Sequence, residues 1–164
     1  MDLLDRLLGH DDLTTQQVLG CCRSLPCELL LQPLALGHAT IAGTVRHMLQ
    51  NVQIWTDLMA ERPQQMMVAW SNTDVECWCT AWQQTYMGFA VFALQVADAD
   101  RWDDSYLDIL DDPPKRKTFG GTIAHVITHN MHHRGELIRA LKHIGVADVP
   151  EGDVLSWETR HGEE

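Results

Sequence analysis

The stretch "GGTIAHVITHNMHHRGELIRAL", residues 120–141, decides which fold the sequence predicts. At 100° of rotation per residue its apolar residues fall on one face of a helix, and a separate stripe about 100° wide is polar. That stripe consists of His125, His129, His132, His133 and Glu136. The stretch therefore predicts a helix with an apolar face, a solvent face and a third face made of histidine.

Hydrophobic periodicity predicts three more helices, and almost no segment shows the alternation of a strand. The first is expected to take its cap within "DDLTT" and to stop before Pro26, and the loop "DDPPKRKTFGG" precedes the last. The four predicted helices cover approximately residues 13–24, 40–61, 74–97 and 121–144. Four helices of these lengths predict an all-α protein, an antiparallel four-helix bundle.

The chain length suits one domain, so residues 1–164 are expected to form a single unit. The acidic tail, 146–164, is expected to pack only through Val154, Leu155 and Trp157.

Composition narrows the classes of function. The formal net charge of −11 would repel the negatively charged phosphate backbone of a nucleic acid, which argues against a nucleic-acid partner. No segment approaches the roughly 18 apolar residues of a membrane span, and no signal peptide is recognisable, so we expect a cytoplasmic protein without a membrane partner. Five cysteines without CxxC spacing indicate neither a disulfide framework nor a four-thiolate zinc site.

The second predicted helix carries a histidine on its apolar side. His47 and Asn51 lie within about 40° of each other, next to the apolar residues of that helix. A polar group in such a position costs on the order of 1–3 kcal/mol if it stays unpaired. We therefore expect a group on a neighbouring helix to meet His47.

An H-x-x-x-H pair directs two imidazoles to one side of a helix, and a histidine from a facing helix completes three nitrogens of a divalent-metal site. Three protein ligands leave a position open for water or substrate, as in catalytic sites. His125 with His129, and His129 with His133, both have this spacing. Spacing alone does not choose between the two pairs.

Two motifs together resemble a known family. Residues 120–141 carry H-x-x-x-H-x-x-H-H-R-G, and "GTVRHMLQNVQIWTDLM", residues 43–59, has a histidine followed eight residues later by tryptophan. In this combination, and in helix order along nearly the whole chain, the sequence resembles the DinB-like family of metal-dependent proteins.

The resemblance implies a four-helix bundle, often dimeric, that holds a zinc, nickel or similar divalent ion. It assigns the ligands to His47, His129 and His133, with His125 and His132 as neighbours. Some relatives transfer low-molecular-weight thiols to electrophiles or isomerise adducts with thiol help, and most have no assigned reaction. A homodimer acting on a small molecule, with a thiol co-substrate, is the implied arrangement.

Other residues near the predicted ligands have two interpretations each. Many relatives have Gln at the position of Glu136. In one interpretation Glu136 accepts an imidazole N–H and so orients a metal ligand; in the other it forms a salt bridge with Arg134 or Arg139. Arg134 binds an anionic group of a substrate, or has a structural or interface role, which we favour. His125 is expected to be a hydrogen-bonded core residue and His132 a rim or dimer-face residue, while Asn51 stays a pocket candidate.

The remaining histidines and the large apolar residues are given ordinary roles. His10, His38 and His161 are expected at the surface, and His143 lies too far along its helix to join the site. The tryptophans are expected to pack in the core and loops. Met66, Met67 and Trp70 either pack or line an apolar substrate entrance, and we favour packing. The tryptophans placed on helices are Trp55, Trp78 and Trp82.

Three hypotheses of function follow. In the first, a divalent ion activates a thiol or water for attack on a small electrophile, making the protein an S-transferase or hydrolase; the motifs name no catalytic side chain. In the second, the ion serves stability or sensing without turnover. In the third, the histidines bind no metal, and His47 lies more than about 8 Å from both His129 and His133.

Overall fold

The computed structural model describes residues 1–64 and 73–161, the last two of these by backbone alone. Within them lie six helices and two short strands. The elements are α1 (Leu3–Cys21), α2 (Cys27–Leu31), α3 (Ile41–Met59), α4 (Val75–Asp98), β1 (Ser105–Asp108), β2 (Lys115–Thr118), α5 (Phe119–His143) and α6 (Val154–His161). Met66, Met67 and Trp70 lie outside the described residues, so their predicted packing is not tested.

The four long helices form the predicted bundle. Helix α1 packs against α4 and α5, and α3 packs against the same two helices. α1 and α3 are therefore diagonal to each other, and α3 and α5 are neighbours. The all-α prediction is confirmed. Among the described helices, none is long and apolar enough to cross a membrane.

The first helix begins far earlier than predicted. Asp2 and Asp5 form a capping box, in which each carboxylate accepts the other residue's backbone N–H at 2.9 and 2.8 Å. Thr14 and Thr15, which suggested a helix start, are instead buried inside α1, where the Thr15 hydroxyl donates to the Asp11 carbonyl at 2.7 Å. The predicted range 13–24 is thus wrong: α1 runs from Leu3 to Cys21.

A β-hairpin precedes α5, and its second strand lies in the loop predicted before that helix. β1 and β2 pair antiparallel, with Ser105 opposite Thr118 and Asp108 opposite Lys115. The buried Tyr106 hydroxyl lies 2.8 Å from the Thr122 hydroxyl of α5, which fixes the hairpin to that helix. The Thr118 hydroxyl caps α5 by accepting the Gly121 N–H at 3.2 Å.

The C-terminal segment forms α6 and packs on α1. Trp157 is 9% exposed. A Cβ on Gly9 would lie 2.8 Å from its indole, so the absence of a side chain at Gly9 allows the ring to pack against α1. Leu155, expected to pack, is 73% exposed. His10 is buried and its Nε2 lies 3.0 Å from the Gly152 carbonyl oxygen, so the expected surface position of His10 is wrong.

A buried polar cluster joins α1 to α5. The Arg134 guanidinium forms an ion pair with the Asp11 carboxylate, and both side chains are at most 1% exposed. The same guanidinium donates to the Thr15 hydroxyl at 3.1 Å, and the Asn130 amide donates to Asp11 at 2.9 Å. This places Arg134 in a structural role, as favoured, and not in a substrate pocket.

We predict that Arg134→Met destabilises the protein by about 3–5 kcal/mol, because it leaves the Asp11 carboxylate buried without its counter-charge. The matched control is Arg139→Met on the exposed face of α5, which should change the free energy of unfolding by no more than about 0.5 kcal/mol. Urea denaturation measures both. Equal losses in the two variants would contradict the structural role of the ion pair.

Candidate metal centre

The histidine cluster forms where α3 faces α5. His47 comes from α3, and His129 and His133 lie four residues apart on α5. The ring centroid of His47 is 4.9 Å from that of His129 and 4.7 Å from that of His133, and His129 and His133 are 4.5 Å apart. These separations are well inside the limit of about 8 Å that would have excluded a shared site.

The closest ring nitrogens have the spacing of two metal ligands. Nε2 of His47 lies 3.2 Å from Nε2 of His129. Two nitrogens each 2.0–2.1 Å from one ion are about 2.9 Å apart at a right angle and about 3.4 Å apart at the tetrahedral angle. The observed distance falls between these values, so this pair of nitrogens fits a divalent ion.

Glu136 orients one of the imidazoles. Its Oε2 lies 2.8 Å from Nδ1 of His133, and its Oε1 accepts the Gly37 backbone N–H at 3.3 Å. An imidazole whose Nδ1–H is held by a carboxylate has only Nε2 left as a ligand atom. The contact agrees with the first interpretation of Glu136, and Arg134 is bound to Asp11 instead. Burial opposes ionisation of Glu136, but the bonds from His133 and Gly37 outweigh it and lower the pKa of its carboxyl.

Burial keeps two of the imidazoles neutral. It lowers the pKa of His47 to about 4, with further contributions from His38 and His133. Burial, followed by the neighbouring His133, lowers the pKa of His129 to about 4 as well. Neutral imidazole is the form that binds metals, so both nitrogens are available at neutral pH. Within the part of the chain that the structure describes, Nδ1 of His129 is buried without a hydrogen-bond partner.

His38 is exposed, as expected, and its ring also joins this cluster. Its ring stacks on that of His47 with centroids 3.7 Å apart, and meets the edge of His133 at 5.2 Å. One ring nitrogen each from His38, His47 and His133 lies within 4.8 Å of the others. Sequence reasoning missed this contact because His38 lies in the loop 32–40, where no helical period relates it to His47.

A cleft of about 360 Å³ lies beside the cluster. His125 stands between the two, with its ring centroid 5.2 Å from that of His129 and 5.5 Å from that of Trp55. His125 is exposed, so the expected role as a hydrogen-bonded core residue is wrong. The cleft is lined by Trp55, Lys117, Thr118, Gly121, Thr122 and His125.

The wall of the cleft is held by polar contacts. The Trp55 indole N–H donates to the Asn51 side-chain carbonyl at 2.8 Å, which gives the pocket candidate Asn51 a positioning role. Lys117 Nζ lies 4.7 Å from the centre of the Trp55 ring and also pairs with the buried Asp108 carboxylate. Trp55 therefore does more than the predicted packing, whereas Trp78 and Trp82 are fully buried core residues.

The last predicted candidate, His132, lies at the rim. Its side chain is 67% exposed, its ring centroid is 5.0 Å from that of His133, and its Nε2 is 3.8 Å from Glu136 Oε1. This position agrees with a rim residue. One ligand atom each from His132, His133 and Glu136 also lies within 4.8 Å of the others, at the exposed end of the cluster.

We predict that the metal-free protein loses stability as the pH falls from about 6.5 towards 4. The folded state lowers the pKa of His47 and His129, so the unfolded chain binds more protons over this range, and acid favours unfolding. Urea denaturation in the presence of a chelator, at about pH 7 and about pH 4.5, measures the loss. It should be smaller in the double variant His47→Asn, His129→Asn than in the parent. An equal loss would contradict the depressed pKa values.

Comparison with known proteins gives one family. The model described as DinB family matches residues 3–160, a range that runs from the start of α1 into α6 and includes all four clustered histidines. A search of curated proteins finds no match. The family resemblance seen in the sequence is confirmed, and the group formed by His38, His47 and His133 could hold a metal ion. Because the match takes in nearly the whole chain, the protein belongs to the DinB family.

Proposed function

We propose that the protein is a divalent-metal-dependent enzyme whose ion is held by His47, His129 and His133. The observation that carries this proposal is the 3.2 Å approach of the His47 and His129 Nε2 atoms beside an imidazole oriented by Glu136. Three imidazoles suit zinc or nickel. When bound, such an ion supplies a Lewis acid that lowers the pKa of a thiol or water ligand.

The cleft is the second feature in favour of an enzyme that acts on a small molecule. It lies one imidazole away from the cluster, on the His125 side, and combines the apolar face of Trp55 with polar groups of β2 and α5. Ligand sites commonly pair an apolar wall with a few fixed polar groups. We propose that this cleft holds a small electrophile, with Trp55 covering its apolar part.

The nucleophile in this proposal comes from outside the chain. The ligand groups that cluster here are histidines and one glutamate, and burial raises the pKa of the Cys22 thiol to about 12. A low-molecular-weight thiol makes the reaction an S-transfer, and water makes it a hydrolysis. The S-transferase is our first choice because a thiol binds soft or borderline metals well.

A second candidate function is metal binding without turnover. The observation that favours it is His38, whose stacking on His47 brings a fourth imidazole to the cluster. Structural metal sites are closed by four protein ligands, whereas catalytic sites keep an open position. In this candidate function the ion stabilises the bundle or reports metal availability.

We predict that the protein, purified without a histidine tag and loaded with zinc or nickel, holds about one equivalent of metal. His129→Ala removes one of the three ligands, so it should retain little metal after the same dialysis. The control His143→Ala removes an exposed imidazole near the far end of α5 and should bind as the parent does. Elemental analysis measures all three. Metal absent from the parent, or equal in all three, would contradict the site.

Turnover is tested on the loaded protein with a thiol and an aromatic electrophile such as chlorodinitrobenzene. We expect thioether formation that depends on the metal and that falls at least about tenfold in His129→Ala, because the Lewis acid is lost. Trp55→Ala, which keeps the ligands, should raise KM with little loss of bound metal. Full metal occupancy without turnover of thiol or ester substrates would favour the non-catalytic function.

A further inference from the structure

His38 is the one clustered imidazole that comes from a loop. The imidazoles of His47, His129 and His133 are carried by α3 and α5, whose backbones are fixed by helical hydrogen bonds. His38 lies in the segment 32–40, between α2 and α3. Its ring is nearly parallel to that of His47, with 22° between the planes and 3.7 Å between the centroids.

The backbone conformation of the loop 32–40 places the His38 ring beside His47. Ala39 has φ of 62°, in the left-handed region, and its carbonyl accepts the Leu34 N–H at 2.7 Å. A Cβ on Gly43 would lie 2.4 Å from the His38 carbonyl oxygen, so only glycine in the first turn of α3 admits the backbone of His38. The chain thus brings His38 close to the start of the helix that carries His47.

Glu136 ties the loop to the metal-binding side of α5. One carboxylate oxygen contacts Nδ1 of His133 and the other accepts the N–H of Gly37, the residue before His38. A single side chain therefore positions the predicted ligand His133 and the backbone next to His38. This bridge brings the His38 ring to the edge of His133.

Resting on the proposed function, we propose that His38 is a fourth protein donor to the ion. With a metal bound, His38 would compete with an external thiol or water for the ion. A loop residue can withdraw at the cost of a few local hydrogen bonds, whereas a ligand on a packed helix cannot. Such a site would be closed by protein ligands in the absence of substrate and would open when an external ligand displaces His38.

The neighbouring histidines are less suited to this role. His125 faces Trp55 and the cleft, and the His132 side chain is 67% exposed at the rim. His38 has a ring nitrogen within 4.8 Å of ligand atoms of both His47 and His133. It is also the donor whose removal leaves the three helix-borne ligands untouched.

The test uses the full-length protein loaded with Co²⁺, whose visible spectrum reports its ligands. His38→Phe keeps a ring to stack on His47 but has no donor nitrogen, and His38→Ala removes both. His143→Ala is the control for loss of an exposed imidazole. Competition with a chromophoric chelator gives the Co²⁺ affinity, and titration with azide gives the affinity of the site for an external ligand.

We expect both His38 variants to bind Co²⁺ at least about tenfold more weakly than the parent, since loss of a ligand should cost no less than loss of a group that supports one. We also expect them to bind azide about tenfold more tightly, because azide no longer competes with an imidazole. The Co²⁺ spectrum should change in both variants and stay unchanged in His143→Ala.

Two results would overturn the inference separately from the proposed function. If His38→Phe behaves as the parent while His38→Ala does not, His38 acts only by stacking. If both variants bind Co²⁺ and azide as the parent does, His38 is no ligand, although the three-histidine site stands. A parent that binds no Co²⁺ would contradict the proposed function itself and, with it, the role of His38.

Discussion

The buried carboxylate of Asp11 is the constraint on which the site depends. Asn130 and Arg134 both bind it, and each directly follows one of the predicted ligands, His129 and His133. Since successive helical residues are 100° apart, anchoring these two side chains to α1 sets the rotation of α5 about its axis. That rotation turns the two imidazoles towards α3, where His47 meets them.

The same packing sets the electrostatics of the cluster. Half-burial between two helices, with imidazoles as nearest neighbours, disfavours protonation of His47 and His129 and keeps their nitrogens available. The Glu136 carboxylate contacts Nδ1 of His133, so this imidazole is oriented with Nε2 left as its ligand atom. A cluster of neutral donors with one supporting carboxylate is suited to a divalent ion.

Sequence periodicity predicted the parts of the structure that repeat. The three later bundle helices lie within about two residues of their predicted ends, and His129 and His133 on the histidine-bearing side of α5 approach His47 of α3. The predicted range of the first helix starts about ten residues too late, because Asp11, Thr14 and Thr15 have the sequence pattern of a helix cap but are buried inside α1. The hairpin was missed because β2, "KRKT", has no apolar alternation. His38 was missed because contacts made by loops carry no period.

Metal binding by the three histidines is tested by anomalous diffraction at the metal absorption edge, on crystals of the zinc- or nickel-loaded protein. We expect one strong peak about 2.0–2.1 Å from Nε2 of His47, His129 and His133. A peak bound instead by His132 and Glu136 at the rim, or the absence of any peak among the four clustered imidazoles, would contradict metal binding by the three histidines.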